Sequence, residues 1–228
     1  MHVSALWRFP VKSMAGETLQ SALVTKKGIA GDRVVQVVSP GRGFVTSRTH
    51  PALLLLHARL GDDGEPLVDE FPWNDAATAE AVRRAAGSTA SLIRYPGDER
   101  FDVLPLLVAT DGALQAFGHD PRRLRPNIVI SGVEGLSERQ WPGRALKIGQ
   151  CLIAIDSLRG RCVMTNFDPD TAESNPAVLK EIVRDFGGRL ALNCDVIRGG
   201  EVSIGDPVEL LDADQATTMA AETEADSG

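Results

Sequence analysis

Short apolar runs with a largely alternating pattern, separated by glycine and proline, constrain the fold of this chain more than any other feature. The first run covers residues 3–9 and has the period of a half-buried β-strand. Further strands are predicted over residues 21–25, 33–39, 52–59, 127–131, 145–148, 151–155, 189–197 and 207–211. Turn-forming pairs such as Pro40-Gly41 and Pro142-Gly143 lie between them. Many short strands with few helices are typical of closed or sandwich-like β structure, so the sequence predicts a mainly β fold.

Three segments carry helix signals. Residues 74–86 and 111–117 each begin beside an Asn, Asp or Thr that can cap a helix. The third segment, residues 176–186, has the clearest boundaries, because Asn175 is suited to the N-cap and Gly187 follows the end. Its apolar residues fall on one face at helical spacing, so this helix is expected to pack on a core.

The excess of acidic over basic residues lies mostly at the C-terminal end of the chain. The formal net charge is −7, but residues 212–228 hold five acidic residues and no Lys or Arg, which leaves 26 acids against 24 bases in residues 1–211. No block of like charge suggests nucleic-acid binding. Residues 212–228 are rich in Ala, Thr and acids and have no apolar stripe, so a disordered solubilising tail is predicted there.

Membrane and secretion signals are also missing from the sequence. No apolar run approaches the roughly 18 residues that a bilayer span requires. The first twenty residues contain Arg8, Lys12 and Glu17 and lack the apolar block of a secretory signal. The three cysteines are widely spaced and odd in number, which argues against a disulfide framework. We therefore expect a cytoplasmic protein that contacts neither membrane nor nucleic acid.

Several common catalytic and metal-binding signatures do not occur in the sequence. There is no Gly-X-Ser-X-Gly nucleophile turn, no P-loop and no glycine pattern for dinucleotides. The four histidines have no zinc spacing with the cysteines. No Cys-X-X-Cys pair is present, so neither an iron–sulfur cluster nor a thioredoxin-type pair can form locally.

Six polar residues at strand ends and turns are candidates for ligand contact. They are Lys12, Ser13, Arg33, Arg48, Arg125 and Asn127. Lys12 and Ser13 follow the first predicted strand together, and a lysine beside a hydroxyl at a turn can hold a phosphate. Each of the six taken alone is more often a solvated or turn residue, because most loops only connect.

Cys162 differs from the other two cysteines in its surroundings. Arg159 and Arg161 precede it, and nearby positive charge favours a thiolate. A structural cysteine at the start of a strand remains an equally open interpretation. Residues 168–171 form a rigid Asp-Pro turn that could fix the cysteine's loop. Cys151 and Cys194 lie in apolar runs and are predicted to be small buried core residues.

Six short pieces of sequence, in order along the chain, carry a resemblance to a known family. They are Arg8-Phe-Pro-Val-Lys-Ser13, Gly31-Asp-Arg33, Phe44-Val-Thr-Ser-Arg48 with Pro51, Leu124-Arg-Pro-Asn-Ile-Val-Ile-Ser-Gly132, Arg161-Cys-Val-Met-Thr165 with Asp168-Pro-Asp-Thr171, and Ile204-Gly-Asp-Pro-Val208. The chain resembles the MOSC family, named for the C-terminal domain of molybdenum-cofactor sulfurase. Within it, the chain is similar to the branch of the mitochondrial amidoxime-reducing component and bacterial reductases of N-hydroxylated compounds.

The resemblance implies a fold and a cofactor site. An N-terminal β-barrel domain over residues 1–98 would pack on a MOSC β-barrel domain over residues 99–211, with the tail from residue 212 outside both. The cofactor would be molybdopterin carrying molybdenum, held between the two domains. Carried over by motif, Cys162 would be the catalytic residue and the protein ligand to the metal, because a soft thiolate suits it. The six polar candidates would contact the cofactor, whose phosphate suits arginine.

The resemblance also implies an activity and partners. The leading interpretation is an oxidoreductase that removes oxygen from small N-hydroxylated compounds such as hydroxylamines, amidoximes and N-hydroxylated bases. Many relatives have a second cysteine three residues before the ligand, where this chain has Arg159. Without a local cysteine cluster, the electron donor is expected to be a separate protein of the ferredoxin, flavodoxin or cytochrome b5 type. Two alternatives remain open: a non-catalytic molybdopterin carrier or chaperone, and a sulfur carrier that uses a Cys162 persulfide.

Overall fold

The computed structural model describes residues 1–41, 43–95, 97 and 100–226 of the chain, with side chains described as far as Met219. Its strands are β1 His2–Arg8, β2 Glu17–Leu19, β3 Ser21–Thr25, β4 Gly28–Ile29, β5 Val35–Ser39, β6 Gly43–Val45, β7 Ala58–Leu60, β8 Pro66–Val68, β9 Phe71–Pro72, β10 Ser91–Arg94, β11 Leu106–Thr110, β12 Ile128–Ser131, β13 Ala145–Ile148, β14 Cys151–Gly160, β15 Arg189–Arg198, β16 Gly200–Ser203 and β17 Val208–Leu211. Its α-helices are α1 Ala76–Ala86, α2 Asp111–Phe117, α3 Pro176–Phe186 and α4 Ala213–Asp226. Short 3₁₀ helices cover Pro51–Leu55, Pro121–Arg123, Ser137–Gln140 and Val163–Asn166. The prediction of a mainly β fold is confirmed.

One large sheet organises the fold. Its eight strands lie in the order β17-β13-β14-β15-β11-β12-β1-β2, and all neighbours are antiparallel except β11 and β12. Three smaller sheets have the orders β10-β5-β6, β16-β3-β4 and β7-β8-β9. The first four strands therefore pair with one another or with strands from the second half of the chain, at β12 and β16.

Two main hydrophobic cores follow from these pairings. One combines Val3, Leu6 and Val24 from the first strands with buried residues of the large sheet. The other is built from residues between Val11 and Leu92. Burial of these apolar side chains is the dominant favourable term in folding. The division of the chain into residues 1–98 and 99–211 stays a prediction, because strands from the beginning of the chain contribute to the core of the second half.

The helix boundaries follow the predicted caps. The side chain of Asn175 accepts a hydrogen bond from Ala177 N at the start of α3, and Gly187 ends the helix in the left-handed conformation. Thr110 caps α2 in the same way through Ala113 N. Predicted and observed helices differ by no more than two residues at their ends, because capping depends on side chains within a few positions of each end.

The predicted strand over residues 52–59 is wrong for most of its length. Pro51–Leu55 forms a 3₁₀ helix, and only Ala58–Leu60 is a strand. Pro51 lies in the first turn of this helix, where its missing N–H costs no hydrogen bond. The consecutive residues Leu53 and Leu54 are both buried. Successive side chains on a strand would point to opposite faces, so a helical turn satisfies both leucines better.

The predicted disordered tail is also wrong, at least over its first turns. Residues Ala213–Asp226 form the helix α4, and Ala216 is buried against Ala145, Leu152 and Leu211. Met219 packs on the same cluster, and its carbonyl accepts a hydrogen bond from Arg198 at 3.3 Å. Two apolar residues three positions apart make too short a stripe to stand out as a helical period. No helix among the described residues is long and apolar enough to cross a membrane.

Glu138 is a buried acid in the 3₁₀ helix Ser137–Gln140, and it makes stability sensitive to pH. Its side chain is fully buried, its Oε2 accepts a hydrogen bond from Thr110 Oγ1 at 3.4 Å, and its Oε1 has no partner among the described residues. Burial raises the pKa of Glu138 above its ordinary value of 4.5. The folded state therefore holds the proton more tightly than the unfolded state.

We predict that Glu138→Gln becomes progressively more favourable, relative to the wild-type protein, as the pH rises. In the wild type, the protonated Glu138 contributes fully to stability below its ordinary pKa of 4.5, the value in the unfolded chain. This contribution is lost as the pH rises from there through the raised pKa of the folded state. The Gln side chain does not titrate. Thermal unfolding at about pH 4 and about pH 8 should show a difference in Tm, variant minus wild type, that is larger at the higher pH, by a few degrees. Exposed Glu134→Gln is the control and should show no such change. If the Tm difference between Glu138→Gln and the wild type did not change with pH, the raised pKa of Glu138 would be contradicted.

Candidate functional site

A single pocket collects the candidate residues that the sequence identified. It has about 760 Å³ of empty space, including open solvent at its mouth. All seven predicted site residues line it: Lys12, Ser13, Arg33, Arg48, Arg125, Asn127 and Cys162. They come from turns far apart in the sequence, so the convergence is a property of the tertiary structure.

Backbone pairing between two turns brings Lys12 and Arg33 together. Val11 pairs with Val35 in an isolated parallel bridge, and Lys12 N donates to Val35 O at 2.9 Å. Arg33 N donates to Phe9 O at 2.8 Å. The buried carboxylate of Asp32 accepts from Phe9 N at 2.7 Å and pairs with the Arg33 guanidinium. The Gly31-Asp-Arg33 turn is thus held against the end of β1.

Three of the pocket residues have a backbone conformation that side chains other than glycine rarely adopt. The φ angles are +74° at Ser13, +53° at Arg33 and +58° at Arg125. Each such residue costs about 1–3 kcal/mol and persists only where surrounding contacts hold it. Strained residues of this kind cluster at functional sites, and here three of them line one pocket.

The pocket has a large excess of positive charge. Among the described lining residues, seven are basic: Lys12, Arg33, Arg48, Arg123, Arg125, Arg159 and Arg161. One is acidic, Asp102. The protein as a whole is acidic, so this concentration of cations is local. A pocket of this composition is suited to a ligand that carries several negative charges.

Arg125 lies over the ring of Phe9, with the guanidinium carbon 4.1 Å from the ring centre. Arg33 stacks against the same ring at 5.2 Å. Burial, reinforced by repulsion from Arg33, lowers the pKa of Arg125 to about 9. Its Nη2 is buried and has no hydrogen-bond partner among the described residues. Arg125 is therefore a desolvated cation whose Nη2 has no partner in the part of the chain that the structure describes, and an arginine of this pKa stays charged at neutral pH.

Arg161 also lines the pocket and is in a similar state. Its Nη2 donates to Leu124 O at 2.8 Å, but its buried Nε and Nη1 have no partner among the described residues. Burial, reinforced by repulsion from Arg159, lowers the pKa of Arg161 to about 10. An unpaired buried charge is costly, so an anion in the pocket would stabilise both arginines. The residues present thus fit a bound phosphate.

The side-chain amide of Asn127 forms hydrogen bonds within the protein. Its Oδ1 accepts from Leu107 N at 3.2 Å, and its Nδ2 donates to Trp7 O and to Asp32 Oδ2, both at 3.3 Å. These bonds connect β1, the strand β11 and the Asp32-Arg33 turn. The amide of Asn127 accordingly positions the neighbouring cations of the pocket.

Cys162 lines the pocket, and other residues hold its loop. It is the N-cap residue of the 3₁₀ helix Val163–Asn166, and its carbonyl accepts from Thr165 Oγ1 at 2.9 Å. Arg123 donates to Asn166 O at 3.0 Å and pairs with Asp168 at 2.8 Å. Asp168 also accepts from two backbone N–H groups of its own turn, at 3.0 and 3.1 Å. The turn predicted over residues 168–171 is present, and Arg123 links it to the loop of Cys162.

The three cysteines separate as the sequence predicts. Cys151 and Cys194 are completely buried, whereas Cys162 is partly exposed. Burial raises the pKa of Cys151 to about 11 and that of Cys194 still further. Both thiols are therefore inert and neutral at physiological pH. From the sequence, Cys162 could have been a structural cysteine at the start of a strand. In the structure it precedes a 3₁₀ helix and lines the pocket.

Arg48 lies between the acidic residue of the pocket and the loop of Cys162. Its Nη2 lies 2.5 Å from Asp102 Oδ2, and the neighbouring Ser47 Oγ donates to Met164 Sδ at 3.5 Å, two residues after Cys162. Burial acts to lower the pKa of Arg48, but the interactions with Cys162 and Asp102 more than offset it, so the pKa is raised. The segment of Arg48 therefore joins Asp102 to the loop of the cysteine.

Sequence reasoning missed part of the site. It did not identify Asp102 or Arg123, and it treated Arg159 and Arg161 only as neighbours of Cys162. The available signal was weak: Arg159 and Arg161 lie two residues apart, directly before Cys162. No group of three or more His, Cys, Asp or Glu residues that could bind a metal occurs in the part of the chain described. A metal held by Cys162 would therefore need most of its ligands from a bound group.

Two family models match the chain. The model described as the MOSC N-terminal beta barrel domain matches residues 1–95, and the MOSC domain model matches residues 109–209. Together they cover most of the sequence. The matched segments contain the six polar candidates and Cys162.

Curated relatives and solved structures point the same way. Mitochondrial amidoxime-reducing component 1 is 25% identical in mouse and 24% identical in human, and each match covers 92% of this chain and 82% of the relative. Molybdenum cofactor sulfurase of Anopheles gambiae is 35% identical, but over only 30% of this chain and 9% of its own length. Among solved structures, the YuaD protein of Bacillus subtilis aligns with a TM-score of 0.51 at 16% identity, covering 93% of this chain and 97% of that one. The last match shows a shared fold.

We predict that the cofactor-free protein binds inorganic phosphate through the two buried arginines. Arg125→Gln and Arg161→Gln should each weaken binding by about tenfold to hundredfold, because each removes charge-assisted bonds to the anion. Isothermal titration calorimetry gives the Kd, and thermal unfolding checks that each variant is folded. Arg184→Gln is the matched control, since Arg184 is exposed on α3 and already paired with Asp185. Equal phosphate affinity in all four proteins would show that these arginines do not form an anion site.

Proposed function

The chain belongs to the MOSC family, and on that premise we propose that it is a molybdenum-cofactor-dependent reductase of N-hydroxylated compounds. The observation that carries the proposal is the combination in one pocket of two buried arginines with unpartnered nitrogens and one partly exposed cysteine. The arginines suit a phosphate, and the thiol suits a soft metal. The relatives named for amidoxime reduction support the choice of substrate class.

The residues of the pocket divide into three tasks. Arg125, Arg161 and Arg33 are suited to the phosphate of the pterin cofactor, with Lys12, Ser13 and Arg48 completing the contacts. Asn127 keeps the Asp32-Arg33 turn in place through its amide. Cys162 supplies the protein ligand to molybdenum. The bound cofactor would supply the two-electron redox chemistry, and the chain would bind it, orient it and exclude water from it.

The overall reaction takes two electrons and two protons: R–NH–OH + 2 e⁻ + 2 H⁺ → R–NH₂ + H₂O. The N–O bond breaks, nitrogen is reduced, and oxygen leaves as water. The electrons would come from a separate one-electron carrier protein of the ferredoxin, flavodoxin or cytochrome b5 type. The described residues contain no cluster of cysteines and histidines that could hold an iron–sulfur centre.

We predict that Cys162→Ala abolishes reduction of benzamidoxime, with reduced viologen as the electron donor. Pterin should remain bound, because its contacts come from other residues. Turnover, molybdenum content and release of the oxidised fluorescent pterin are the three measurements. Cys151→Ala is the control: it removes a buried thiol and should cost about 1–2 kcal/mol of stability while activity per folded molecule is kept.

Two other outcomes would replace the proposal. Wild-type protein that holds molybdenum and pterin but turns over no N-hydroxylated compound would be a carrier or chaperone. Protein without molybdenum that carries an added sulfur on Cys162, detected by mass spectrometry, would be a sulfur carrier. Full reductase activity of Cys162→Ala would show that this residue is not the ligand on which the reaction depends.

A further inference from the structure

Asp102 is the one acidic side chain among the described residues that line the pocket, and the mechanism above does not use it. We propose that Asp102 is a specificity-determining residue that binds the amino group next to the N-hydroxyl group of amidoxime-type substrates. This inference rests on the proposed function, because it assigns the substrate preference of the same site.

Three cations surround the Asp102 carboxylate. Lys12 Nζ lies 3.0 Å from Oδ1, while Arg48 Nη2 and Arg159 Nη2 lie 2.5 and 3.3 Å from Oδ2. Two carboxylate oxygens offer about four acceptor positions, so at least one position stays available. The Asp102 side chain is 29% exposed, and a small molecule can therefore reach it from the pocket mouth.

Asp102 lies next to the segments on both sides of the Cys162 loop. It pairs with Arg48, whose neighbour Ser47 donates to Met164 Sδ at 3.5 Å, two residues after Cys162. It also pairs with Arg159, three residues before Cys162. Arg125 and Phe9, in contrast, form the phosphate end with Arg33. Asp102 thus lies on the side where a substrate would meet the metal ligand.

The cations around Asp102 are shared with the cofactor. Lys12 and Arg48 are assigned to cofactor contacts in the proposed function, and the same N–H groups cannot bind two anions at full strength. When a polyanion engages them, Asp102 keeps Arg159 and loses part of its neutralisation. A partly buried carboxylate in that state favours a new N–H donor.

Amidoximes carry such a donor. Their amino group lies one carbon away from the N-hydroxyl nitrogen, and the product amidine is a cation with two parallel N–H groups. That pair matches the two oxygens of a carboxylate and can form a bidentate, charge-assisted interaction. Simple hydroxylamines have no second amino group, so Asp102 would contribute little to their binding.

The first test measures binding without turnover. Benzamidine, the product of benzamidoxime reduction, is titrated calorimetrically into the cofactor-loaded protein and its Asp102→Asn variant. We expect the variant to bind benzamidine about tenfold to hundredfold more weakly. Aniline, the product from N-phenylhydroxylamine, should bind both proteins with similar Kd values. Molybdenum and pterin contents of the variant should equal those of the wild type.

Asp185→Asn is the matched control for this experiment. Asp185 also pairs with an arginine, Arg184, but neither residue lines the pocket. Its benzamidine Kd should equal that of the wild type. Equal benzamidine affinity in the wild type and Asp102→Asn, or no binding to either, would overturn the inference. So would loss of cofactor from Asp102→Asn, since Asp102 would then organise the cofactor cations instead.

The second test separates this inference from the proposed function. With reduced viologen as donor, Asp102→Asn should raise KM for benzamidoxime by about tenfold or more, while kcat and the KM for N-phenylhydroxylamine stay within about threefold. If the wild type reduces neither compound, the proposed reductase function fails, and the benzamidine titration still decides the role of Asp102. An equal loss with both substrates would contradict a role in specificity.

Discussion

Repulsion among cations gathered at one pocket is the constraint that the surrounding structure has to satisfy. Among the described residues that line the pocket, seven are basic and one is acidic. Like charges gathered in one pocket destabilise a fold unless they are paired or stacked. The chain supplies Asp32 for Arg33, Asp168 for Arg123 and Asp102 for three others, and both Arg33 and Arg125 stack on Phe9. What remains unbalanced is concentrated on Arg125 and Arg161. The site is therefore organised around the charge of a ligand, and binding of an anion would relieve a cost that the folded chain carries without it.

Rigid elements hold these charges at the positions that a ligand needs. Ser13, Arg33 and Arg125 adopt the left-handed conformation in short turns that follow strands or a 3₁₀ helix. Asn127 connects the Asp32-Arg33 turn to the large sheet, and Arg123 connects the Cys162 loop to its own turn. Because each turn is tied to a neighbour by hydrogen bonds, the pocket is largely formed in advance. Pre-organisation of this kind lowers the entropic cost of binding.

The two ends of the pocket differ in chemistry, and the places proposed for the cofactor phosphate and the substrate follow from that difference. At one end, guanidinium groups stacked on an aromatic ring suit a phosphate. At the other, Arg48 pairs with Asp102 and its neighbour Ser47 contacts the loop of Cys162, so a thiol suited to a soft metal and a hydrogen-bond acceptor line the same part of the pocket. The proposed reductase needs both a place for its cofactor and a place for its substrate, and we assign the second to Asp102, the one carboxylate among the described lining residues. Because Arg48 pairs with Asp102 and is also assigned to the cofactor, occupation of one place would change the electrostatics of the other.

The sequence by itself determined eight of the strands, the helices α1, α2 and α3, the separation of Cys162 from the buried Cys151 and Cys194, and seven of the residues that line the pocket. Strand period and helix caps depend on neighbours within a few positions, which is why Asn175 could be assigned as a cap and Thr110 as one of two candidates. The family motifs supplied the rest of that prediction. Only the tertiary structure decided where Asp102 and the first turns of α4 belong. Asp102 meets Arg48 and Arg159, which are 54 and 57 residues away in sequence, and Ala216 is buried by strands far from it in sequence. Contacts at such separations leave no local period or motif, because they arise only when the sheet brings distant turns together.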